Sequence, residues 1–379
     1  MFDNLKGIEK EREEQKRESG AIEKLLEVRD LIMQEAKRPL TSAADKDVYN
    51  RIYNSTKSRL EGIEFDAADI KNLIFARPQA DVNSGMRQYA GKITGCILQI
   101  LTERNEAKKE KTIVHIDGRD TRFDYLFYGT KIIDELIVEN FKGNSICQEV
   151  CQNGGKANLV AGINIEGSKT FARLGYENGN VGVVLAKDII GHHTLYSAGQ
   201  NGKIGSIIAA GLRGNQILER AGDEKGEIGL VIGYNIKGGR ALFGIEDYET
   251  IGLILKKYIN NDRKCRQAGQ DLLKYYMHRG YLDEKIRDSL KDLKFECAIN
   301  FPYGPPCIKD EHISAIDGET RRYSSDTDMD KRIQQKRKKR MNKIIRLTSS
   351  MKNKDWEECI KTAYTIDNVY NAIKRILEK

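Results

Sequence analysis

Glycine recurs with a period of about 24 residues through the middle of this 379-residue chain. Gly143, Gly167, Gly191, Gly214 and Gly238 are spaced 24, 24, 23 and 24 residues apart. Other glycines fall into register with them. One column holds Gly175, Gly199 and Gly222, and another Gly155, Gly179, Gly202 and Gly226, with a one-residue deletion just before Gly202. A further column holds Gly182, Gly205, Gly229 and Gly252. A unit this short cannot bury its own apolar face, so the stable solution is to stack copies around a continuous core. About 24 residues per coil suits a parallel β-helix, whereas a left-handed hexapeptide helix would show hexads and about 18 per turn.

Short apolar runs lie between the glycines, such as Asn158-Leu-Val-Ala, Gly182-Val-Val-Leu-Ala, Gly205-Ser-Ile-Ile-Ala and Gly229-Leu-Val-Ile-Gly. Cys147, Phe171, Leu195, Leu218 and Leu242 form a second apolar column, and Asn140, Asn164, Asp188 and Asn235 a polar one. Stacked rungs place equivalent residues about 4.8 Å apart. Corners call for residues that tolerate positive φ, which means Gly first and Asn or Asp second. Asn side chains in one column can then hydrogen-bond along the stack. The competing architecture is an antiparallel sandwich or barrel with evenly spaced hairpins. In the solenoid reading, residues 112–142 cap one end and the segment after Tyr258 the other.

Gly226-Glu-Ile-Gly229-Leu-Val-Ile-Gly233 has the spacing G-xx-G-xxx-G, and Gly179-Asn-Val-Gly182 and Gly202-Lys-Ile-Gly205 carry its first half. Ala186 and Ala209 stand in the third position of those two copies. This resembles the GXGXG repeat of the C-terminal β-helix domain of the glutamate synthase large subunit and of a formylmethanofuran dehydrogenase subunit. The likeness spans residues 120–260. It implies a structural spacer domain and carries over no flavin, iron–sulfur or amidotransferase part and no catalytic residue.

The flanks have a helical period. Residues 1–110 form a helical N-terminal region, in which Ala21, Ile22, Leu25, Leu26, Val28, Leu31 and Ile32 make one apolar face. Pro39 ends that helix, and Ser42 starts one carrying Val48, Ile52 and Tyr53. Asp66 caps another through Ile70, Leu73 and Ile74, and a further helix runs from Ser84 to Arg104. Residues 111–260 are the solenoid. Residues 261–379 are again helical: Leu272 to Met277, Ile286 to Leu293, and a last helix with Trp356, Cys359, Ile360, Ala363 and Tyr364 along its stripe. Residues 299–325 read as a linker. The fold class expected is therefore α+β, a central parallel β-solenoid between α-helical regions.

Charge is uneven. Residues 261–379 carry 27 Lys and Arg against 19 Asp and Glu, while residues 1–260 carry 37 of each. Residues 331–354 hold eleven basic residues and no acidic one. On a helix, Arg332, Lys336, Lys339, Arg340 and Lys343 within the basic segment 331–346 fall along one side. That stripe suits phosphates or another polyanion. No aromatic residue interleaves, so base stacking is not expected.

Other candidates weigh less. The seven Cys are scattered and odd in number, as for reduced, buried thiols. Cys147 and Cys151 lack a second pair for a metal site. His192 and His193 sit at a coil corner near Asp188, Glu219 and Glu246, but neighbouring residues on a strand point to opposite faces and chelate poorly together. Asp326, Asp328 and Asp330 lack the Gly and Glu of a calcium loop. There is no G-x-S-x-G elbow, P-loop or Rossmann fingerprint, no apolar run long enough to span a membrane, and an N-terminus too charged for a signal peptide. The reading is a cytoplasmic, non-enzymatic scaffold without cofactor or metal. Its helices meet protein partners, and its basic segment meets nucleic acid or an acidic protein. The alternative is a GXGXG-bearing subunit or relative of a glutamate synthase-like oxidoreductase.

Overall fold

The computed structural model describes residues 20–36, 45–76, 84–241, 251–257, 314–317 and 328–377. Helices come first: α1 over residues 20–35, α2 (Asp45–Arg59), α3 (Ala67–Ala76) and α4 (Ser84–Ala107). Strands β1 (Ile113–Arg122), β2 (Ile132–Lys142), β3 (Lys156–Glu166), β4 (Asn180–Ile190), β5 (Lys203–Ala210), β6 (Glu227–Tyr234) and β7 (Ile251–Lys257) follow, then β8 (Ser314–Asp317). The chain closes with α5 (Asp328–Ser350), a 3-10 turn (Met351–Asn353) and α6 (Trp356–Leu377).

The strands lie in one sheet in sequence order. Every pair from β1 to β7 is parallel, and only β8 joins antiparallel to β7. Parallel neighbours in sequence order require the chain to return around a coil each time, so the fold is a β-solenoid and the antiparallel alternative falls. The register carries the repeat: Lys156 pairs with Asn180, 24 residues on, and Asn180 with Lys203, 23 on. Gly199 repeats the left-handed φ of Gly175, 67° in both, whereas Asn178 already donates to Asn201 one residue out of phase. The deletion therefore lies between Gly199 and Gly202, where the repeat arithmetic puts it.

Opposite the sheet runs a turn face. In one coil Lys169, Phe171, Arg173, Gly175 and Glu177 all have left-handed φ, from 49° to 67°, with right-handed residues between them. The left-handed amides donate alternately to the two neighbouring coils: Lys169 to His192 O at 2.7 Å, Phe171 to Ile146 O at 3.0 Å, Arg173 to Tyr196 O at 2.7 Å and Gly175 to Val150 O at 2.8 Å. A left-handed L-residue costs about 1–2 kcal/mol, and this exchange of hydrogen bonds is what holds so many of them. Cys147, Phe171, Leu195 and Leu218 occupy one such column at φ 52–59° and are wholly buried. Leu242 of the same column lies outside the described residues.

The glycine columns have two causes. Gly175, Gly199 and Gly222 are left-handed, at φ 67–74°. The 24-residue column instead answers close stacking: a Cβ on Gly191 would lie 2.0 Å from the Gly167 carbonyl oxygen, and one on Gly214 would lie 1.9 Å from that of Gly191. Of this column only Gly143, Gly214 and Gly238 also have positive φ, 147–150°.

The stack is sealed at its first coil by α4, not by residues 112–142, which form its first two rungs. Along α4 residues 90–102 are all buried, because the helix lies between the other N-terminal helices and the coil. Glycine permits the approach: a Cβ on Gly91 would lie 2.0 Å from Tyr125 O. The first coil has no preceding coil to accept its amides, and α4 substitutes. Thr94 Oγ1 accepts from Phe127 N at 3.3 Å, and Gln99 Oε1 accepts from Lys131 N at 3.3 Å. In the same region Asp66 caps α3 as expected, its Oδ1 accepting from Ala68 N at 2.8 Å and Asp69 N at 3.1 Å. Ser42, the segment after Tyr258 and the expected helices over 272–293 lie outside the described residues. Within the expected linker, residues 314–317 form β8.

The sheet is covered on both sides. Ala157, Val160, Val181, Val184 and Ile207 point into the solenoid core. Leu159, Ala161, Val183, Leu185, Ile208, Leu230 and Ile232 point outward and pack against Ile344, Ile345, Met351, Cys359, Ile360, Ala363, Ile366 and Tyr370 of the α5–α6 pair. This explains why the apolar runs are continuous instead of alternating. Polar contacts pin the pair: Tyr364 donates to Glu135, Ser206 to Asp367, and His115 stacks on Trp356 with ring centroids 4.0 Å apart.

Candidate polyanion interface

Helix α5 lays its apolar side on the sheet, burying Ile344, Ile345 and Thr348. Its 3.6-residue period then turns Lys339, Lys343 and Arg346, spaced by four and three, to the opposite side, where all three are exposed. None of the three pairs with a carboxylate of the described residues. Arg332 and Lys336 stand at the positions that continue this row toward the start of α5. Arg340 departs from the row. It is half-buried against α6, and its Nη1 donates to the Ala372 carbonyl at 2.7 Å. Arg346, which completes the exposed row, was within reach of the sequence as the next position of the same helical period.

Beside Arg340 a groove of about 380 Å³ opens between the two helices, lined by Arg340, Lys343, Thr365, Asn368, Val369 and Ala372. Its walls carry two cations, a hydroxyl and an amide, and no carboxylate.

The histidine corner does different work. His192 Nδ1 accepts the Asn215 amide at 3.0 Å, and its own amide donates to Ser168 Oγ at 3.3 Å. The same bond recurs along the stack: Asp124 Oδ1 accepts from Asn144 N, Asn144 Oδ1 from Ser168 N and Asn215 Oδ1 from Gly239 N, at 2.9–3.0 Å. His192 is one rung of a polar ladder that Asn or Ser fills elsewhere. His193 lies edge-on to Tyr196 at 5.5 Å, and burial, followed by the charge of Lys169, holds its imidazole below the usual 6.5. Glu219 is buried and pairs with Arg240 at 2.8 Å. Glu246 lies outside the described residues. The Asn column makes a second ladder, in which Asn164 Nδ2 donates to Asn140 Oδ1 at 2.7 Å and Asn140 Nδ2 to Asp117 Oδ1 at 2.9 Å. Asn140, Asn164, Asp188 and Asn235 all have φ of 52–54°.

Cys96, Cys147, Cys151 and Cys359 are free and buried. Burial pushes the Cys96 thiol up to about 12 and those of Cys147 and Cys151 higher still. Among the described residues no three His, Cys, Asp or Glu side chains converge to hold a metal. No helix of those residues is long and apolar enough to cross a membrane. The chain matches no protein-family model, no curated protein and no solved structure.

Proposed function

We propose that this protein is a scaffold whose β-solenoid holds α5 rigidly and presents its basic row to a polyanion. The observation that carries this reading is the row of Lys339, Lys343 and Arg346, exposed and without carboxylate partners. Cations kept out of ion pairs are held at an electrostatic disadvantage unless an anionic partner neutralises them. Eleven basic residues and no acidic one over 331–354 extend the same field.

Retention on heparin tests the reading. Deleting residues 331–346 would strip the outer face of the sheet, so point substitution is the cleaner probe. Replacing Lys339, Lys343 and Arg346 by Gln is expected to lower the eluting salt concentration while leaving the melting temperature unchanged. Unchanged elution would refute the reading.

A second reading is favoured by the G-xx-G-xxx-G spacing at Gly226, Gly229 and Gly233. It is a spacer in a larger assembly like the glutamate synthase-type oxidoreductases. Copurification with flavin or iron–sulfur subunits would support it.

A further inference from the structure

The groove between α5 and α6 narrows the polyanion to one kind. We infer that it seats a phosphate of a nucleic-acid backbone, with Arg340 and Lys343 supplying charge and Thr365 and Asn368 the neutral donors. This inference rests on the reading of α5 as a polyanion contact and adds a second wall to it.

Arg340 is oriented before any ligand arrives. One of its five N–H donors is spent on the Ala372 carbonyl at 2.7 Å, which fixes the guanidinium at the groove. Lys343 stands one helical turn further along and pairs with no carboxylate of the described residues. The facing wall offers the Thr365 hydroxyl and the Asn368 amide, both exposed. Arg, Lys, Thr and Asn are the side chains that contact phosphate oxygens in nucleic-acid complexes. With no carboxylate in the lining, the groove complements an anion.

The surroundings select a polymer. Lys339 and Arg346 continue the charge on either side of Lys343 at turn spacing, about 5.4 Å. A single small anion would leave those positions unused, whereas a chain of phosphates meets them in sequence. A bilayer surface fits less well. The apolar side of α5, with Ile344 and Ile345, is already buried on the sheet and has nothing to insert among lipids. No aromatic side chain lines the groove, so the contact is with backbone and indifferent to sequence.

The test uses the full chain and a labelled single-stranded oligonucleotide, with anisotropy read across a salt series. The uncharged pair Thr365→Val with Asn368→Leu is expected to weaken binding about tenfold and leave the salt slope unchanged, as two lost hydrogen bonds would. Substituting Lys339 and Arg346 with Gln is expected to lower the slope by about one per charge removed. If the uncharged pair fails to fold, Arg340→Lys replaces it, keeping the charge and losing the fork. Wild-type binding by the groove variants, with loss in the row variants, would overturn the groove and spare the polyanion reading. No oligonucleotide binding by the parent chain, with heparin retained, would overturn nucleic acid as the ligand. Equal binding to phosphatidylserine vesicles would do the same. Failure to bind any of the three would remove both readings.

Discussion

Gly167 lies directly over Gly143, so close that a Cβ on Gly167 would fall 1.7 Å from the Gly143 carbonyl oxygen. That contact recurs at each later coil of the column and sets how tightly the coils stack.

Gly167→Ala and Gly191→Ala should each destabilise the protein by about 2 kcal/mol or more, because backbone on the neighbouring coil cannot give way. Gly154→Ala, at a left-handed position with nothing within 4 Å of the new Cβ, should cost about 1 kcal/mol. Urea midpoints of the three variants check the order. Equal losses would show that left-handed backbone, not stacking distance, sets the requirement.

The two polar ladders should respond differently to truncation. Asn164→Gly keeps the left-handed backbone and loses one ladder bond, at about 1 kcal/mol. Asn164→Ala adds the left-handed penalty of about 1–2 kcal/mol. On the other ladder His192→Asn should be close to neutral, since Asn fills that rung at 144 and 215, and His192→Leu should cost about 1 kcal/mol. Thermal melts of the four variants measure this. A large loss in His192→Asn would contradict the ladder role.

His193 gives a pH dependence of fixed sign. Its folded value lies below the ordinary 6.5 because burial and Lys169 disfavour the charged ring. The unfolded chain therefore takes up the proton first. The stability His193 contributes is present above about pH 7 and is lost as the pH falls through 6.5 toward the folded value. His193→Gln should flatten that part of the stability curve between about pH 7 and pH 5. Unfolding midpoints at successive pH values provide the check, and an unchanged slope would count against it.

Cys147 and Cys151 should resist alkylation in the native state, because burial raises both thiols far above the working pH. Iodoacetamide at neutral pH followed by peptide mass spectrometry is expected to label them only after denaturant is added. Cys96, pushed up to about 12, should behave alike.

Seating of the α5–α6 pair can be tested from the sheet side. Ile208→Asp places a charge under the pair and should cost about 3 kcal/mol or more. The same change should raise proteolytic cleavage within α6. Equal protease resistance would mean that the pair is held chiefly by its polar pins.

Much of the solenoid is legible in the chain because its period is enforced rung by rung. Gly191 and Gly214 cannot vary without striking a carbonyl, and Asn140 and Asn164 cannot vary without losing both a left-handed corner and a bond. Even the missing residue before Gly202 shows as a slip in spacing. The outer helical cover is harder to see. Its signal was present in Leu159, Ala161, Val183 and Leu185, which leave no polar parity along β3 and β4. Nothing local says that residues near 345 and 363 supply the other side of that contact. The role of α4 escaped for the same reason. Thr94 and Gln99 look like ordinary polar residues on a helix, and their importance exists only where a first rung lacks a predecessor. His192 reads as chemistry by residue type and acts as a spacer by position. The turn face hides its own rule, since Phe171 and Leu195 are residue types seldom found at positive φ.

The alternating left-handed residues of that turn face bear on how order is gained. Each such residue is tolerated only while chains above and below accept or offer its bond, so an isolated loop has no reason to hold that shape. Ordering should therefore propagate from an already formed neighbour, with the α4 end as the natural starting template. A nascent chain released after its first loop would remain uncommitted until the next one arrived.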